Sequence, residues 1–355
     1  MSFYAPASDL PTKLGVYCVL CAQAGIRVLP IALGVLSVGD KWESSFKLLN
    51  VYFDIAGNFI DMADEYQDGS SEEFIGEWAE QRGIQDELVI ATKHTGNHKR
   101  GDNSIAQKVN YVGNGSKSLY LSVEVSLKKL HTDYIAILYI HWWDWETSVH
   151  EVMDNLHYLV SLCKVLYLGI SNAPAWVIAQ ANQYALDHGK TPFIVYQGQW
   201  NVMERSFECE IILMAREFGM ALAPWDVLAA GRFRMDEEEK KQRNEIEVKM
   251  SKALEAVAAE VGDAGNLTAV AIAYVMHKMP YVFPIIGGQK VEHLKVNIQA
   301  LDIRLTQKQI EYLESIIPFD PGFPSSMIRD GTSHNRMLLA VAKMAKQLKL
   351  QPILP

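Results

Sequence analysis

Leu88-Val89-Ile90-Ala91-Thr92-Lys93 is a mostly apolar run that ends abruptly on an ionisable residue. A strand buried on both faces stays apolar along its length and meets polar chemistry only at the edge of the sheet, so the lysine marks a rim. Two further runs read the same way. Asn58-Phe59-Ile60 leads into Asp61, and Ile135-Ala136-Ile137-Leu138-Tyr139-Ile140 leads into His141. Ionisable groups at three successive strand ends share one rim, and in an α/β barrel that rim carries the chemistry.

Outward from these runs the chain repeats strand then helix with few long gaps. Barrel strands are expected over 30–34, 57–61, 88–93, 134–141, 164–170, 193–197, 220–224 and 282–286. Helical patterns lie between them, over 44–53, 71–82, 116–129, 149–162, 174–188 and 207–218. Ser71-Glu72-Glu73 and Ala173-Pro174 suit helix starts, while Gly83, Gly189 and Gly219 suit the position just past a helix end. Eight such units predict a parallel sheet closed into a (β/α)8 TIM barrel.

The stretch Leu14 to Val38 is long enough to cross a bilayer, but Gln23, Gly25, Arg27 and Pro30 interrupt it. A central arginine costs about 2.5 to 3.5 kcal/mol on insertion scales. Two strands fit better, one before Ala24-Gly25 and one after, forming an N-terminal hairpin. Beyond Leu305 two more helices are expected, about 307–316 and 334–347. The expected organisation is a single domain over 1–355, with the barrel over about 28–301 and a C-terminal helical extension over 302–355. Asp236 to Arg243 reads as a solvated helix face or a mobile insertion.

A chain of 355 residues with 49% hydrophobic and 21% charged content can bury a large core as one barrel. Its net charge of -9 and pI of about 5.6 argue against nucleic acid, whose affinity rests on clustered Lys and Arg. A small molecule is the expected partner, with no membrane; oligomeric state is not legible. Cys18 and Cys21 have redox or zinc spacing but lack a second ligand pair, and they read as buried free thiols. Asn114-Gly115-Ser116 and Asn266-Leu267-Thr268 match the glycosylation sequon, which matters only in a secreted chain. No signal peptide opens the sequence, so a cytoplasmic location is expected.

Taken singly, each rim residue has an ordinary structural use. Asp61 can cap a helix, Tyr66 can be a half-buried loop aromatic, Lys93 can pair with a surface carboxylate, and His141 can be a satisfied core histidine. Together they weigh more, because a lysine ending an apolar strand needs a counter-charge and Asp61 is placed to supply it. A nearby ammonium lowers the pKa of a phenol, so Lys93 would tune Tyr66 to exchange protons while His141 polarises a carbonyl oxygen. No Gly-x-Gly-x-x-Gly turn follows any strand, which argues against a Rossmann nucleotide site. The segment after strand 8, Gly287-Gly288-Gln289-Lys290-Val291-Glu292-His293, opens a helix with two glycines and cationic neighbours. It is a candidate phosphate site, or else a plain turn with a surface lysine.

Gly57-Asn58-Phe59-Ile60-Asp61-Met62-Ala63 followed by Tyr66, Ala91-Thr92-Lys93, Leu138-Tyr139-Ile140-His141, Leu168-Gly169-Ile170-Ser171-Asn172 and the Gly287 to Leu301 segment resemble, in order, the motifs of the aldo-keto reductases. Ser37-Val38-Gly39-Asp40-Lys41-Trp42 and Ser71 to Trp78 are most similar to the fungal norsolorinic acid reductase and aryl-alcohol dehydrogenase group. The resemblance implies an enzyme that uses NADPH/NADP+ without metal to reduce aldehydes or ketones, or to oxidise aryl alcohols, in secondary metabolism. It implies Tyr66 as general acid, tuned by Lys93 and Asp61, and His141 orienting the carbonyl. Ser171, Asn172 and Gln197 would bond the nicotinamide carboxamide, and Trp225 would stack on its ring. The loop Asp226-Val227-Leu228-Ala229-Ala230-Gly231-Arg232 would cover the pyrophosphate. Gly287 and Gly288 would open the phosphate turn, and Gln289, Lys290, His293 and Asn297 would face the adenosine and its 2′-phosphate. Trp42, Trp142 and Trp143 would favour flat aromatic substrates.

Three departures stand out. Val296 occupies a position that is commonly acidic in related reductases, which weakens adenine contacts. The loop after strand 1 passes from Trp42 straight to Glu43-Ser44-Ser45, and the region between Met235 and Val248 is abbreviated. Short loops would open the substrate pocket or remove part of a cofactor clamp. The alternative reading is a cofactor-binding regulatory or inactive reductase-like protein, as potassium-channel β-subunits resemble reductases, though no basic or apolar docking surface supports it.

Overall fold

A computed structural model describes residues 16–36, 42–234, 243–262, 266–288, 290–331, 334 and 336–344. The N-terminal hairpin pairs β1 (Cys18–Cys21) with β2 (Ala24–Val28) in antiparallel register. Its turn falls at Ala22-Gln23, with Ala24 and Gly25 inside β2, two residues earlier than the glycine suggested. Then follow β3 (Ala32–Gly34), α1 (Trp42–Asp54), β4 (Phe59–Asp61), α2 (Ser70–Arg82), β5 (Val89–His94), α3 (Ser116–Lys129) and β6 (Ile135–Ile140). The second half runs α4 (Val149–Ser161), β7 (Val165–Ser171), α5 (Ala175–Asp187), β8 (Phe193–Gln199), α6 (Ile211–Glu217), β9 (Ala221–Trp225), α7 (Glu245–Val261), α8 (Leu267–Lys278), β10 (Ile285–Ile286) and α9 (Val291–Ile298). The described residues close with α10 (Gln307–Ile316) and two short helices, α11 (Ser325–Ile328) and α12 (Arg336–Leu339).

Strands β3 to β10 form one parallel sheet in the order β10-β3-β4-β5-β6-β7-β8-β9. Leu222 of β9 accepts from Phe283 N at 2.8 Å and donates to Tyr281 O at 2.9 Å, which brings the two ends of the sheet together as a (β/α)8 barrel. The last strand is shorter than its apolar run because Pro284 has no N–H to give the ladder.

Strand parity sorts the core into two shells. Ala32, Phe59, Val89, Ala91, Ile137, Tyr139, Val195, Ala221 and Ala223 fill the barrel interior, and Leu20, Cys21, Ala24 and Val28 of the hairpin plug its N-terminal end. Ile60, Ile90, Leu138, Ile140, Leu168, Ile170 and Leu222 face outward against the helices. The interior is crowded: a Cβ on Gly169 would fall 2.5 Å from the Tyr139 ring, so glycine there makes room for the tyrosine. All four cysteines are free, with Cys21 buried and Cys18 partly exposed. Both sequon asparagines have structural work, Asn114 buried at the start of α3 and Asn266 capping α8.

Helix punctuation follows capping chemistry. Ser148 caps α4, and Asn244 with Glu247 and Thr306 with Gln309 form capping boxes on α7 and α10. Gly83, Gly189 and Gly219 each adopt positive φ, as expected past helix ends. Two helices differ from expectation. The pattern at 207–218 splits into a single turn at Ser206–Glu208 and α6, because Phe207 is drawn inward to stack on Trp200 at 5.3 Å while Arg205 pairs with Glu208. The helix expected over 334–347 reduces, among the described residues, to α12, whose apolar side chains Met337 and Leu339 are exposed and gain no burial to stabilise it. All of the run Asp236 to Arg243 except Arg243 lies outside the described residues, as does the loop over 37–41.

One polar cluster sits in the outer shell, behind β5. Glu72, read from sequence as a helix-start acid, is fully buried on α2 and accepts from Thr92 Oγ1 at 2.8 Å. Asp64 nearby accepts from Ser122 Oγ at 2.6 Å, with His98 Nδ1 3.6 Å away. Burial, reinforced by Asp64, pushes the Glu72 carboxyl from its ordinary 4.5 up to about 7. The folded state therefore binds this proton more tightly than the unfolded chain, and stability present in acid is lost as pH rises through about 7. Glu72→Gln is expected to raise the unfolding free energy relative to the native chain at pH 8 but not at pH 4, by up to about 3 kcal/mol; equal effects at both pH values in urea titrations would show that the carboxyl is not protonated in the fold.

Candidate active site

The inward parity that fills the barrel with apolar side chains carries polar ones at its C-terminal rim. Phe59 is followed two residues on by Asp61, Ala91 by Lys93, Gly169 by Ser171, Val195 by Gln197 and Ala223 by Trp225. In-register pairing of the parallel strands sets these ends side by side: Asp61 lies opposite Ala91, Lys93 opposite Tyr139, and Ser171 opposite Gln197. Tyr66 follows β4 in a tight turn, and His141 follows β6 directly, donating its N–H to His94 O at 2.8 Å.

The centre of this rim is Lys93, 1% exposed. Its Nζ donates to Asp61 Oδ2 at 2.7 Å, to Met62 O at 2.8 Å and to the Tyr66 hydroxyl at 3.3 Å. Gln197 Nε2 donates to the other Asp61 oxygen at 2.7 Å, so both carboxylate oxygens are bonded. The His141 ring lies edge-on to Tyr66, 5.8 Å between centroids. The four residues singled out from the sequence are thus in one place.

Their electrostatics differ from expectation at one point. Burial opposes the Lys93 ammonium, but Asp61 and Tyr66 outweigh it and hold its pKa above the ordinary value. Burial raises the Tyr66 pKa, and although Lys93 pulls it down, Asp61 and Glu65 add to the rise, so the net direction is up. The lysine was expected to lower this value; desolvation wins in the free protein. Tyr66 stays a phenol at neutral pH, a proton donor hydrogen-bonded to a cation. His141 is driven down to about 3 by burial, with Lys93 and His94 adding to the effect, so its imidazole is neutral.

The remaining sequence candidates spread around the rim. Ser171 Oγ is buried at the end of β7 with no hydrogen-bond partner among the described residues, and Asn172, at φ 46°, donates from Nδ2 to His141 O at 3.1 Å. Trp225 is half-buried where β9 ends. The loop beyond it turns on three non-glycine residues of positive φ, Asp226, Ala229 and Ala230, with Asp226 accepting from the Ala230 N–H and from Gln199 Nε2. Leu228 is half-buried, Gly231 is exposed at φ 78°, and Val227 is in the core, so its side chain packs inward and only its backbone faces the rim. Gly287 is exposed with open space where a Cβ would stand, Gly288 follows it, and Lys290 and His293 at the start of α9 are exposed. Asn297 is buried, and Gln289 lies outside the described residues.

Of the tryptophans, Trp142 is 36% exposed beside His141. Trp143, expected on the rim with it, is instead buried in the outer shell, because one step along the chain reverses the side-chain direction. Trp42 opens α1, and its side chain lies outside the described residues.

Sequence reading missed the support behind His141. Its N–H also reaches Thr95 Oγ1 at 3.2 Å; Thr95, at φ 135°, donates to Asn114 Oδ1 at 2.6 Å, and Asn114 Nδ2 holds Trp142 O at 3.1 Å. The only signal for Asn114 was its sequon. Glu65 was missed as well, though it adjoins Tyr66.

The chain matches the aldo/keto reductase family model over residues 30–318 and belongs to that family, a class of carbonyl–alcohol oxidoreductases. Within it the chain is similar to an aryl-alcohol dehydrogenase [NADP(+)] of Phanerodontia chrysosporium, 48% identical over the whole of both chains. It is 48% identical to an aldo-keto reductase of Emericella nidulans over 92% of this chain and 88% of that one. A norsolorinic acid reductase of Aspergillus flavus is 45% identical over 91% of this chain and 86% of its own. No described helix is long and apolar enough to cross a membrane.

A buried pair is costly when one partner is lost. Lys93→Met, which strands the Asp61 carboxylate, is expected to lower stability by about 3 to 5 kcal/mol in urea denaturation, and adding Asp61→Asn to restore a large part. Additive losses in the double variant would mean that the two groups do not act as a pair.

Proposed function

We propose that the protein reduces aromatic aldehydes or ketones to alcohols, or runs the reverse oxidation of aryl alcohols, with NADPH/NADP+ as cofactor and Tyr66 as the proton donor. The observation that carries this reading is the hydrogen bond from the buried Lys93 ammonium to the Tyr66 phenol, beside a neutral His141. When bound, the dihydronicotinamide supplies the hydride.

The residues present fit that cofactor. Ser171 Oγ, buried and without a hydrogen-bond partner among the described residues, suits a carboxamide, with Asn172 beside it, Gln197 next in register and Trp225 at the end of β9 offering a ring face. The Asp226 to Gly231 loop, the open backbone at Gly287-Gly288, and Lys290 and His293 at the start of α9 suit its phosphates. Asn297 is buried on the inner face of α9, so the exposed Lys290 and His293 are the better candidates for the 2′-phosphate.

Tyr66 gives its proton to the carbonyl oxygen as negative charge develops there, and Lys93 stabilises the phenolate left behind. Asp61, held by Gln197 as well, keeps Lys93 in place. The neutral imidazole of His141 orients the same oxygen. A phenol whose pKa is raised is a weaker acid but stays protonated at neutral pH, so its proton is available there, and it acts as a base for alcohol oxidation only in alkaline solution. The exposed edge of Trp142 and the names of the relatives both favour aromatic substrates, in secondary metabolism.

Titration of the purified protein with NADPH and NADH, followed by tryptophan fluorescence and then by nicotinamide absorbance after adding veratraldehyde, tests the reading. Tight NADPH binding with oxidation is expected; binding without oxidation across an aldehyde panel would favour a cofactor-binding regulatory protein. Tyr66→Phe is expected to bind NADPH nearly as the native protein does while losing about 10²- to 10⁴-fold in kcat. Lost binding with turnover preserved would overturn the assignment.

A further inference from the structure

Glu65 has entered so far only as a charge that adds to the rise of the Tyr66 pKa, yet its carboxylate stands at the edge of the site. It lies between Asp64 and Tyr66 in the turn after β4, with Oε1 3.5 Å from His141 Nδ1. That nitrogen is buried and has no hydrogen-bond partner among the described residues. The space Glu65 uses is kept open by a glycine: a Cβ on Gly96 would fall 2.2 Å from both Cδ and Oε2 of Glu65. Gly96 does not adopt positive φ, so its backbone gives no reason for glycine, whereas the carboxylate does.

Resting on the function proposed above, we propose that Glu65 is a positioning residue for His141. The two side chains share one proton between Oε1 and Nδ1, and this leaves Nε2 as an N–H donor to the substrate oxygen. The proton balance admits two forms of equal charge, carboxylic acid with neutral imidazole or carboxylate with imidazolium, and in both Nε2 carries its hydrogen. When the pair loses that proton, the remaining imidazole proton moves to Nδ1, where the carboxylate accepts it. Nε2 then presents a lone pair to the carbonyl oxygen and repels it. A separation of 3.5 Å is long for a hydrogen bond, as such contacts often are before substrate binds.

The surroundings favour retention of the shared proton. Burial raises the Glu65 pKa, as does Asp64, while Arg100 and Lys93 pull it down. Burial, Lys93 and His94 disfavour a second proton on His141. Tyr66 faces the imidazole from the same turn as Glu65, and the Asp61 carboxylate is taken up by Lys93 and Gln197. The acid form of Glu65 donating to a neutral ring is therefore the favoured member of the two. The pair titrates as a unit, with one apparent pKa for the shared proton.

The test uses the full chain labelled with ¹⁵N-histidine, read by NMR across pH, together with kcat and KM for veratraldehyde. In the native protein His141 should carry its hydrogen on Nε2 below the apparent pKa of the pair, and reduction should fall on a limb at that pKa as the hydrogen moves to Nδ1. Glu65→Gln, whose amide N–H donates to Nδ1 and does not titrate, should hold the Nε2–H form at all pH values and abolish that limb. Glu65→Ala should lower kcat on the order of tenfold with little change in KM, short of losing a proton-transfer group outright. Gly96→Ala, which displaces the carboxylate without removing it, should do the same. Unchanged His141 shifts and kcat in both Glu65→Ala and Gly96→Ala would overturn the proposal. If even the native protein reduces no aldehyde, the function proposed above fails, and the NMR titration alone still decides whether Glu65 sets the protonation of His141.

Discussion

An ammonium group sealed inside a barrel is the constraint on which the site depends. Lys93 is 1% exposed on a strand that is buried along its whole length, and an isolated charge there would be expelled or neutralised. Asp61, Met62 O and the Tyr66 hydroxyl take up its three donors, and Gln197 takes up the second oxygen of Asp61. Every one of these partners is fixed by the strand that carries it or by the turn just after it. Moving any neighbouring strand by one residue would turn its inward side chains outward and leave a charge unpaired. The same arrangement that makes the pair tolerable holds the Tyr66 phenol against a cation, 3.3 Å from Lys93 Nζ.

Most of the fold was legible because the short continuous apolar runs of the strands and the longer amphipathic patterns of the helices do not compete in this chain. Apolar runs ending in Asp61, Lys93 and His141 mark the barrel and its functional end, and the helices carry recognisable caps at Ser148, Asn244 and Thr306. What periodicity cannot supply is a side chain's depth. Glu72 has the local signature of a helix start and Asn114 that of a sequon, yet tertiary packing buries both and gives them partners far along the chain, Thr92 and Trp142. Trp143 was misplaced for the same reason, since adjacent residues leaving a strand point opposite ways. The direction of the Tyr66 shift was also beyond sequence, because it depends on how completely the phenol is desolvated against a single nearby ammonium.

Backbone strain collects at the rim. Thr95 after β5, Asn172 after β7, and Asp226, Ala229 and Ala230 after β9 all adopt positive φ, at about 1 to 3 kcal/mol each for non-glycine residues. Hydrogen bonds hold them there: Asn114 accepts from Thr95, Asn172 reaches His141 O, and Asp226 receives the Ala230 N–H. Alanine has no side-chain reason to prefer such a turn, so the Asp226 carboxylate is what defines that loop. These loops border the strand ends that carry Lys93, Ser171 and Trp225, where a cofactor and substrate would lie.

The most direct measurement is a single turnover of veratraldehyde with NADPH deuterated at both C4 positions, the alcohol product being analysed by mass spectrometry. One deuterium on the carbinol carbon is the expected result, with the oxygen-bound hydrogen drawn from the protein and solvent. Bound cofactor with no alcohol formed, or alcohol free of the label, would contradict a rim built for hydride and proton delivery to a carbonyl.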